Sequence, residues 1–332
     1  MTGEQPPKLR TSAMIASLAA EGMDTVDAPF GHSLVECATK NDKIVGLTAD
    51  LAKYTDLLPF TTAFPDWFYQ MGMAEQGMIS AAAGLAREGF LPVATTYAVF
   101  ASRRAYDFVC MAIAEESLNV KLVCALPGLT TGYGPSHQAT EDIAIFRGMP
   151  NLTIIDPCDA VDIQMATAAM VAHDGPVYMR LLRGKVPKIL NEYDYKFAMR
   201  RASLLQDGND VLFISTGLMT MRALLAARQL KQDSIDCAVL HVPVIKPLDE
   251  DSIIAAARRS GRLVITAENH SIMGGLGEAV AASLLRRGVT PSFQQIALPD
   301  AFLAAGALPT LHDRYGLSVN AVVAQTKQFL DR

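Results

Sequence analysis

Short apolar segments alternate with longer amphipathic ones along the chain from about Asn41 onward. Strands are predicted for KIVGLTA, LPVATTY, VKLVCAL, LTIIDP and PVYMRLL. Helices are predicted for AEQGMISAAAGLAREG, residues 100–116, ATEDIAIFRGM and AVDIQMATAAMVAH. The predicted strands do not alternate cleanly between apolar and polar positions, which is typical of a parallel sheet covered by helices on both faces. The pattern therefore predicts an α/β fold built on a parallel sheet.

The alternation is interrupted at residues 184–198, GKVPKILNEYDYKFA, where a proline, charges and tyrosines accumulate. We interpret this stretch as a linker between a first domain at 26–183 and a second at 199–332. In the second, DVLFISTG, DCAVLHVPVIKP and RLVITAE alternate with helical stretches, so a smaller α/β domain is expected. A chain of 332 residues suits two domains. Residues 1–25 are interpreted as a lead-in helix or arm.

Composition narrows the classes of function. The formal net charge is −5 and no basic cluster is present, which argues against nucleic acid as a main partner. The five cysteines are scattered without a C-x-x-C pair, so reduced thiols are expected rather than a disulfide framework or a zinc site. The N-terminus lacks a signal-type apolar core, and no apolar run reaches about 18 residues. A cytoplasmic protein without a membrane span is expected.

Three loops follow predicted strands at the sheet edge where ligands of parallel sheets bind. These are TADLAKYT, the turn containing Glu75 in MGMAEQG, and PGLTTGYGPSHQ, whose composition suits a shaped binding loop. A carboxylate at a helix start often serves only the helix dipole. The apolar neighbours of Glu75 instead favour a carboxyl group that is withdrawn from solvent and usable as a proton donor.

Other candidates are ambiguous when taken singly. His137 in GPSHQ is either a structural histidine or a catalytic one, and Tyr97 with Phe100 in TYAVF indicates core packing when considered alone. The glycine cluster IMGGLGEAV precedes a helix and is compatible with phosphate binding. It lacks G-x-G-x-x-G spacing, so close helix packing is the favoured interpretation.

Taken together, these stretches resemble a known family. MGMAEQG, LPVATTYAVFASRRAYD, GLTTGYGPSHQATEDIAIFRGMPNLTIIDP and DGPVYMRLLRG resemble the C-terminal half of transketolase and of the related deoxyxylulose-phosphate synthases. VLHVPVIKPLDED and AENHSIMGGLGEAV resemble the transketolase C-terminal domain. The likeness covers residues 26–332. It implies a parallel-sheet pyrimidine-binding domain for thiamine diphosphate, followed by a smaller α/β transketolase C-terminal domain.

The resemblance implies roles toward the cofactor. Glu75 matches the glutamate that hydrogen-bonds N1′ of the aminopyrimidine and thereby controls its protonation. Phe100 matches the residue that stacks on the pyrimidine, and Tyr97 one that walls the pocket. Asp50 and Arg104 match an acidic and a basic position near the cofactor.

It also implies roles toward the substrate. His137 matches the histidine that contacts substrate hydroxyls and carbonyl, so Glu75 and His137 are the expected catalytic residues. Arg183 matches the basic residue that faces the far end of the substrate. Tyr133 stands where the family has an acidic residue before the GPSHQ-type segment.

One motif of the family is missing. Transketolases hold Mg²⁺ and the diphosphate through G-D-G with a later asparagine, and the nearest string here is QDGND at 206–210, in the wrong domain. The resemblance therefore implies a split enzyme in which an N-terminal partner subunit binds Mg²⁺ and the diphosphate. An α2β2 assembly is expected because family sites lie at a two-fold interface.

The leading function is two-carbon ketol transfer from a ketose to an aldehyde. A 2-oxoacid dehydrogenase β subunit shares the domain order and the glutamate, and a non-catalytic partner subunit would keep the fold. GPSHQ and RRAYD favour the transketolase reading, and a degenerate partner would not need Glu75, Phe100 and His137 together.

The far end of the substrate site departs from the family. Asp27 aligns with an arginine, Tyr54 replaces a serine and CALPG lacks a histidine, so Arg183 alone remains of the charged clamp. A single basic group with an added carboxylate is a poor site for a dianion. The expected sugar substrate is unphosphorylated or carries another terminal anion.

Overall fold

The computed structural model describes residues 23–259 and 261–331. Only the last three residues of the lead-in arm expected at 1–25 fall within this range. The strands are β1 (Thr25–Asp27), β2 (Ile44–Thr48), β3 (Phe68–Gln70), β4 (Leu91–Tyr97), β5 (Lys121–Ala125), β6 (Thr153–Ile155), β7 (Val177–Leu181), β8 (Lys185–Pro187), β9 (Ser203–Gln206), β10 (Val211–Ser215), β11 (Cys237–His241), β12 (Val244–Lys246), β13 (Leu263–Ser271) and β14 (Phe293–Leu298).

Helices connect these strands. They are α1 (Pro29–Ala38), α2 (Leu58–Ala63), α3 (Glu75–Arg87), α4 (Ala98–Arg104), α5 (Tyr106–Phe108), α6 (Asp142–Arg147), α7 (Ala160–Ala172), α8 (Leu218–Gln232), α9 (Glu250–Ala257), α10 (Leu276–Arg286), α11 (Leu308–Arg314) and α12 (Val319–Leu330). Within the described ranges, none of the helices combines the length and apolarity needed to cross a bilayer.

The first sheet has the strand order β12-β6-β7-β5-β4-β2-β3. All neighbours pair in parallel except β12, which runs antiparallel to β6. Strands β2, β4, β5 and β7 are buried along their whole length, which explains why their sequences do not alternate. The predicted parallel α/β fold is confirmed.

A second sheet follows, with the order β14-β13-β10-β11-β9, in which only β9 is antiparallel to its neighbour. The two sheets are joined more closely than a linker would join them. Strand β12 comes from the second half of the chain but completes the edge of the first sheet beside β6.

The segment 184–198 is packed rather than loose. Strand β8 pairs with β1 in a small antiparallel sheet, and Val186, Ile189 and Leu190 are fully buried. The backbone N–H groups of Ile189 and Leu190 donate to Asp159 at 2.7 and 2.8 Å. The segment therefore connects the two sheets while contributing to the core.

The helix expected at 100–116 is divided into shorter pieces. Helix α4 ends at Arg104, α5 is a single turn, and residues 109–114 form a π-helical segment. A π-helical turn accommodates an extra residue and changes the direction of the side chains that follow. The short α4 keeps Phe100 and Arg104 one turn apart on a single face.

Candidate functional site

The carboxyl ends of the first sheet bring most of the predicted site residues to one edge. Glu75 follows β3, Tyr97 ends β4, the loop 126–141 follows β5, and Arg183 follows β7. Because these strands pair in parallel, the segments that leave them emerge on the same side. This edge is where ligands of parallel sheets bind.

Glu75 is a buried carboxylate at the start of α3. The residue is only 2% exposed, and its Oε1 atom lies 3.1 Å from Nη1 of Arg104. The Arg104 guanidinium carbon also lies 3.9 Å from the centroid of the Phe100 ring, in a cation–π contact. Arg104 is half exposed, so the pair joins a buried acid to a cation at the mouth of the site.

Three aromatic rings lie around the imidazole of His137. The imidazole centroid lies 5.1 Å from the Tyr133 ring, 5.5 Å from Phe100 and 6.1 Å from Tyr97. Tyr97 is buried, and burial raises the pKa of its hydroxyl group. The structure thus brings together Glu75, Phe100 and His137, which the sequence analysis singled out, with Tyr97 and Tyr133 beside them.

His137 is held in a defined orientation. Its backbone N–H donates to Gly134 O at 3.0 Å, and its Nδ1 atom lies 2.9 Å from the Ser136 hydroxyl. Partial burial, and then the positive charge of Arg104, lower the pKa of the imidazole. Near neutral pH the ring is therefore predominantly uncharged, a form that can accept or donate a proton.

The second sheet supports the loop that carries His137. The Leu129 N–H donates to Asn269 Oδ1 at 2.8 Å, and His312 Nε2 donates to Leu129 O at 2.7 Å. Gly128 has φ +57°, and a Cβ atom there would lie 2.1 Å from Asn269 O. Residues of the second half of the chain therefore fix the loop from behind.

Arg103 and Gln138 also fix this loop, and sequence reasoning missed both. Arg103 pairs with Glu141 and donates to Pro135 O at 2.9 Å. Gln138 Nε2 donates to Thr131 O and to Ala304 O, each at 3.2 Å. The motif RRAYD contains two arginines with separate partners, and only the second, Arg104, had been singled out.

Asp50 lies at the edge of the site, where its hydrogen bonds are made with Gln70. Its backbone N–H donates to Gln70 Oε1 at 2.7 Å, and Gln70 Nε2 donates back to Asp50 Oδ1 at 3.2 Å. The carboxylate is exposed. Within the described residues it makes no hydrogen bond or ion pair with Glu75, Phe100 or His137.

Arg183 lies at the other end of the site. Its guanidinium carbon is 5.7 Å from the Tyr54 ring centroid. The adjacent Gly184 N–H donates to both carboxylate oxygens of Asp56, at 2.8 and 3.0 Å. Burial raises the pKa of Asp56 to about 6, although Gly184 and Arg183 act in the opposite direction. The charge of Asp27 also contributes to this raised pKa, so a second carboxylate lies in the neighbourhood of Asp56.

The glycine cluster before α10 is a packing feature. The Glu268 carboxylate accepts from the N–H groups of Leu276 and Gly277 at 2.6 and 2.7 Å and so occupies the helix N-terminus. A Cβ atom at Gly275 would lie 2.0 Å from Glu268 Oε2. The interpretation as helix packing rather than phosphate binding agrees with this geometry.

Cys158, Asp162 and His241 also come together, deep between the two sheets. Both Asp162 oxygens already accept hydrogen bonds, from the Tyr195 hydroxyl at 2.6 Å and the Cys158 N–H at 2.9 Å, and His241 Nε2 lies 2.9 Å from Oδ2. Burial and nearby carboxylates raise the pKa of the thiol well above its usual value. We interpret this cluster as a buried hydrogen-bonded connection between the sheets.

The place beside Glu75 and Phe100 fits a planar group with N–H donors. The Arg104 guanidinium is such a group, and it both stacks on the ring and contacts the carboxylate. An aminopyrimidine has the same two requirements, an aromatic face and a carboxylate partner. The donor set of this chain therefore suits the pyrimidine end of thiamine diphosphate.

Both parts of the chain match known protein families. A family model described as the transketolase pyrimidine binding domain matches residues 22–188, and one described as the transketolase C-terminal domain matches residues 200–322. The transketolase family protein y4mN of Sinorhizobium fredii is 67% identical over 98% of this chain and 94% of its own length. The 6-deoxy-6-sulfo-D-fructose transketolase subunit SqwH of a Clostridium species is 38% identical over 90% and 92%.

A solved split-gene transketolase, described as an inactive β4 tetramer, has a TM-score of 0.83 and 37% identity, covering 93% of this chain and 99% of that one. Deoxyxylulose-phosphate synthases match at 32–37% identity, and this chain spans just under half of their length. The matched domains, their order and the geometry of the sheet edge agree. The chain belongs to the transketolase family.

Proposed function

We propose that this chain is the C-terminal subunit of a two-chain transketolase-like enzyme. It would transfer a two-carbon ketol unit from a ketose donor to an aldehyde acceptor, with thiamine diphosphate as cofactor. Residues 26–183 would bind the aminopyrimidine, residues 199–332 would form the C-terminal domain, and 184–198 would connect them. The observation that carries the proposal is the convergence of buried Glu75, half-buried Phe100 and His137 at one sheet edge.

The residues of this chain have distinct tasks in the proposed enzyme. Thiamine diphosphate, when bound, supplies the carbanion chemistry. Glu75 would hold and move a proton at the pyrimidine, Phe100 would stack on its ring, and Tyr97 would close the pocket wall. The pyrimidine would replace the Arg104 guanidinium as the partner of the ring and the carboxylate, and Arg104, which is half exposed, would remain beside the cofactor at the edge of the site. His137, largely uncharged near neutrality, would contact the reacting oxygen atoms of the substrate.

A partner chain would supply the remaining half of the site. The proteins of similar length that match this chain include one named as a transketolase subunit and one described as a split-gene β4 tetramer that is inactive. We propose an N-terminal subunit that binds Mg²⁺ and the diphosphate, with Asp50 near the boundary, in an α2β2 assembly. Such cations prefer several oxygen ligands together with phosphate groups.

Two alternative functions differ from ketol transfer in the reaction that they would perform. A 2-oxoacid dehydrogenase β subunit would transfer an acyl group to a lipoyl domain, and a non-catalytic partner would do neither reaction. The family models and the relatives named as transketolases favour ketol transfer. The aromatic and imidazole side chains around a buried carboxylate also favour a working site over a degenerate one.

The substrate end supports a sugar without a terminal phosphate. Arg183 lies beside the Tyr54 ring, and Asp56 and Asp27 place negative charge nearby. This set is poor for a phosphate dianion but compatible with a monoanion or a neutral end. The relative SqwH is named for a sulfo sugar, whose terminal group carries one charge. We propose a ketose with a sulfonate-like or uncharged end, with Tyr133 narrowing the pocket near His137.

The first prediction concerns assembly. The chain alone should bind thiamine diphosphate weakly, because Mg²⁺ and the diphosphate contribute most of the polar contacts in such a site. Calorimetric titration should show tight, Mg²⁺-dependent binding only after the N-terminal partner is added. Tight, Mg²⁺-dependent binding by the isolated chain would contradict the split site while leaving the family assignment intact.

The second prediction concerns the substrate. The reconstituted pair should use a 6-sulfo or unphosphorylated ketose donor better than xylulose 5-phosphate, because a single guanidinium with the Asp56 carboxylate nearby discriminates against a dianion. A panel of donors with a common aldehyde acceptor, compared by kcat/KM, tests this. Arg183→Gln should lower kcat/KM for the sulfo donor more than for the neutral one. Efficient turnover of xylulose 5-phosphate with ribose 5-phosphate would refute the proposed substrate class.

The third prediction concerns Asp56. Asn at this position can still accept from the Gly184 N–H but cannot ionise. Since the pKa of Asp56 is raised from 3.8 to about 6 in the folded chain, the unfolded chain releases this proton first as the pH rises. The free energy of unfolding of the wild type should therefore fall between about pH 4 and pH 6 and then level off.

Relative to wild type, Asp56→Asn should gain up to about 3 kcal/mol of stability between pH 4 and pH 7. Urea unfolding at several pH values measures the difference. Asp66→Asn, at an exposed aspartate, controls for the loss of one negative charge. A difference between Asp56→Asn and wild type that does not change with pH would show that Asp56 is not held at a raised pKa.

A further inference from the structure

A cavity of about 670 Å³ lies at the amino ends of the second sheet, opposite the edge that supports the His137 loop. Strands β10 and β14 begin one residue after the lining residues Asp210 and Ser292, and β13 begins at the lining residue Leu263. Among the residues that the structure describes, four arginines line it, Arg258, Arg259, Arg262 and Arg287, and we call it the arginine pocket. Its size is in the range of small-molecule sites, roughly 300–1,000 Å³.

The carboxylates around the arginine pocket are already engaged. Asp207 accepts from Arg259 at 2.9 Å and lies 3.5 Å from Arg262, so one acid serves two guanidinium groups. Asp251 contacts Arg287 at 3.2 Å, but its side chain is 88% exposed and well screened by water. Asp210, in the lining itself, accepts the Asp236 N–H at 2.6 Å.

Two of the arginines have donors without a hydrogen-bond partner among the described residues, one of them buried and one exposed. Arg262 is 6% exposed, and its buried Nε atom has no hydrogen-bond partner. The side chain of Arg258 is exposed and makes neither a hydrogen bond nor an ion pair within the part of the chain that the structure describes. Burial and the neighbouring Arg259 lower the pKa of Arg262, as expected where positive charge is in excess.

Helix capping explains only part of this arrangement. Helices α9, α10 and α12 all end here, and cations are favourable near helix C-termini. Arg262 caps α9 by donating from Nη2 to Ala256 O, and its Nη1 donates to Gly208 O at 3.0 Å. The capping interactions leave the Arg262 Nε atom without an acceptor. Helix capping also does not require a cavity of this volume.

The remaining walls determine the kind of anion. Leu263, Val289 and Phe329 give the pocket an apolar side, and Thr290 and Ser292 add hydroxyl groups beside the arginines. Clustered guanidinium groups match the geometry of phosphate oxygens, and an aromatic or aliphatic wall suits a planar organic group. We propose that the arginine pocket is a binding site for a small organic polyphosphate of the nucleoside di- or triphosphate class. This inference does not depend on the proposed ketol transfer.

The test uses the full chain and three probes, namely ADP, inorganic pyrophosphate and adenosine. Calorimetry at low ionic strength should show saturable ADP binding that weakens as salt is added, because the site is electrostatic. Pyrophosphate should bind more weakly than ADP, and adenosine should not bind measurably. Phe100→Ala, which removes the ring beside Glu75, should leave ADP binding unchanged, and this separates the arginine pocket from the site beside Glu75.

The double variant Arg258→Gln/Arg287→Gln should weaken ADP binding about tenfold or more, as expected for the loss of two charge-assisted contacts. Both side chains are exposed, so the fold should be unaffected. Arg286→Gln is the matched control. Arg286 is next to Arg287 in sequence, pairs with Glu250 at 2.7 Å and lines a different cavity, so this variant should change affinity less than about twofold.

Several results would overturn the proposal. They are the absence of saturable ADP binding up to millimolar concentration, equal weakening by Arg286→Gln and the double variant, and weakening of ADP binding by Phe100→Ala. Pyrophosphate binding as tight as ADP binding would overturn the nucleoside class, since the apolar wall would then contribute nothing. Hydrogen exchange should show protection by ADP at residues 257–263 and 287–293, and protection confined to the His137 loop would contradict the location.

Discussion

A buried carboxylate must have a partner, and the Glu75–Arg104 pair is the interaction on which the site depends. Glu75 is withdrawn from water at the start of α3, where an uncompensated charge would be strongly unfavourable. Arg104 compensates it from one helical turn beyond Phe100, while stacking on that ring. Helix α4 ends at Arg104, so Phe100 and Arg104 lie one turn apart on the same face of this short helix.

The second sheet has a direct part in the site. Asn269 of β13 and His312 of the neighbouring helix α11 hold the loop that carries His137, and His312 stays uncharged because burial lowers its pKa to about 4. The buried cluster around Asp162 and the addition of β12 to the first sheet tie the two halves together further. The position of His137 relative to Phe100 is therefore a property of both sheets and not of one loop.

Sequence reasoning located the residues that follow strands directly. Tyr97 and Phe100 lie at the end of the predicted strand LPVATTY, so the strand pattern and the topology of parallel sheets place them at the edge where ligands bind. Their roles and their grouping with Glu75 were expected only from the family resemblance. Asn269 and His312 were missed because 140 and 183 residues separate them from Leu129, and no local pattern signals such pairs.

Two other differences have local causes. The division of the helix expected at 100–116 was not predicted, because a π-helical turn leaves no clear periodicity signal in the sequence. The segment 184–198 was interpreted as a linker from its proline and charges, although Val186, Ile189 and Leu190 are the apolar positions that anchor it in the core. The stacking of Arg104 on Phe100 follows from their spacing, which is visible in the sequence once α4 is known to be helical.

The central claim is that Glu75 controls a proton at the pyrimidine of thiamine diphosphate. The most direct measurement is the rate at which the thiazolium C2 proton of the cofactor exchanges with deuterium, followed by NMR in the assembled enzyme. Glu75→Gln keeps the size of the side chain, and Glu88→Gln, at the exposed end of the same helix, is the control. We expect the C2 proton to exchange orders of magnitude more slowly in Glu75→Gln than in the wild type, and at the wild-type rate in Glu88→Gln. An unchanged exchange rate in Glu75→Gln, with cofactor still bound, would contradict it.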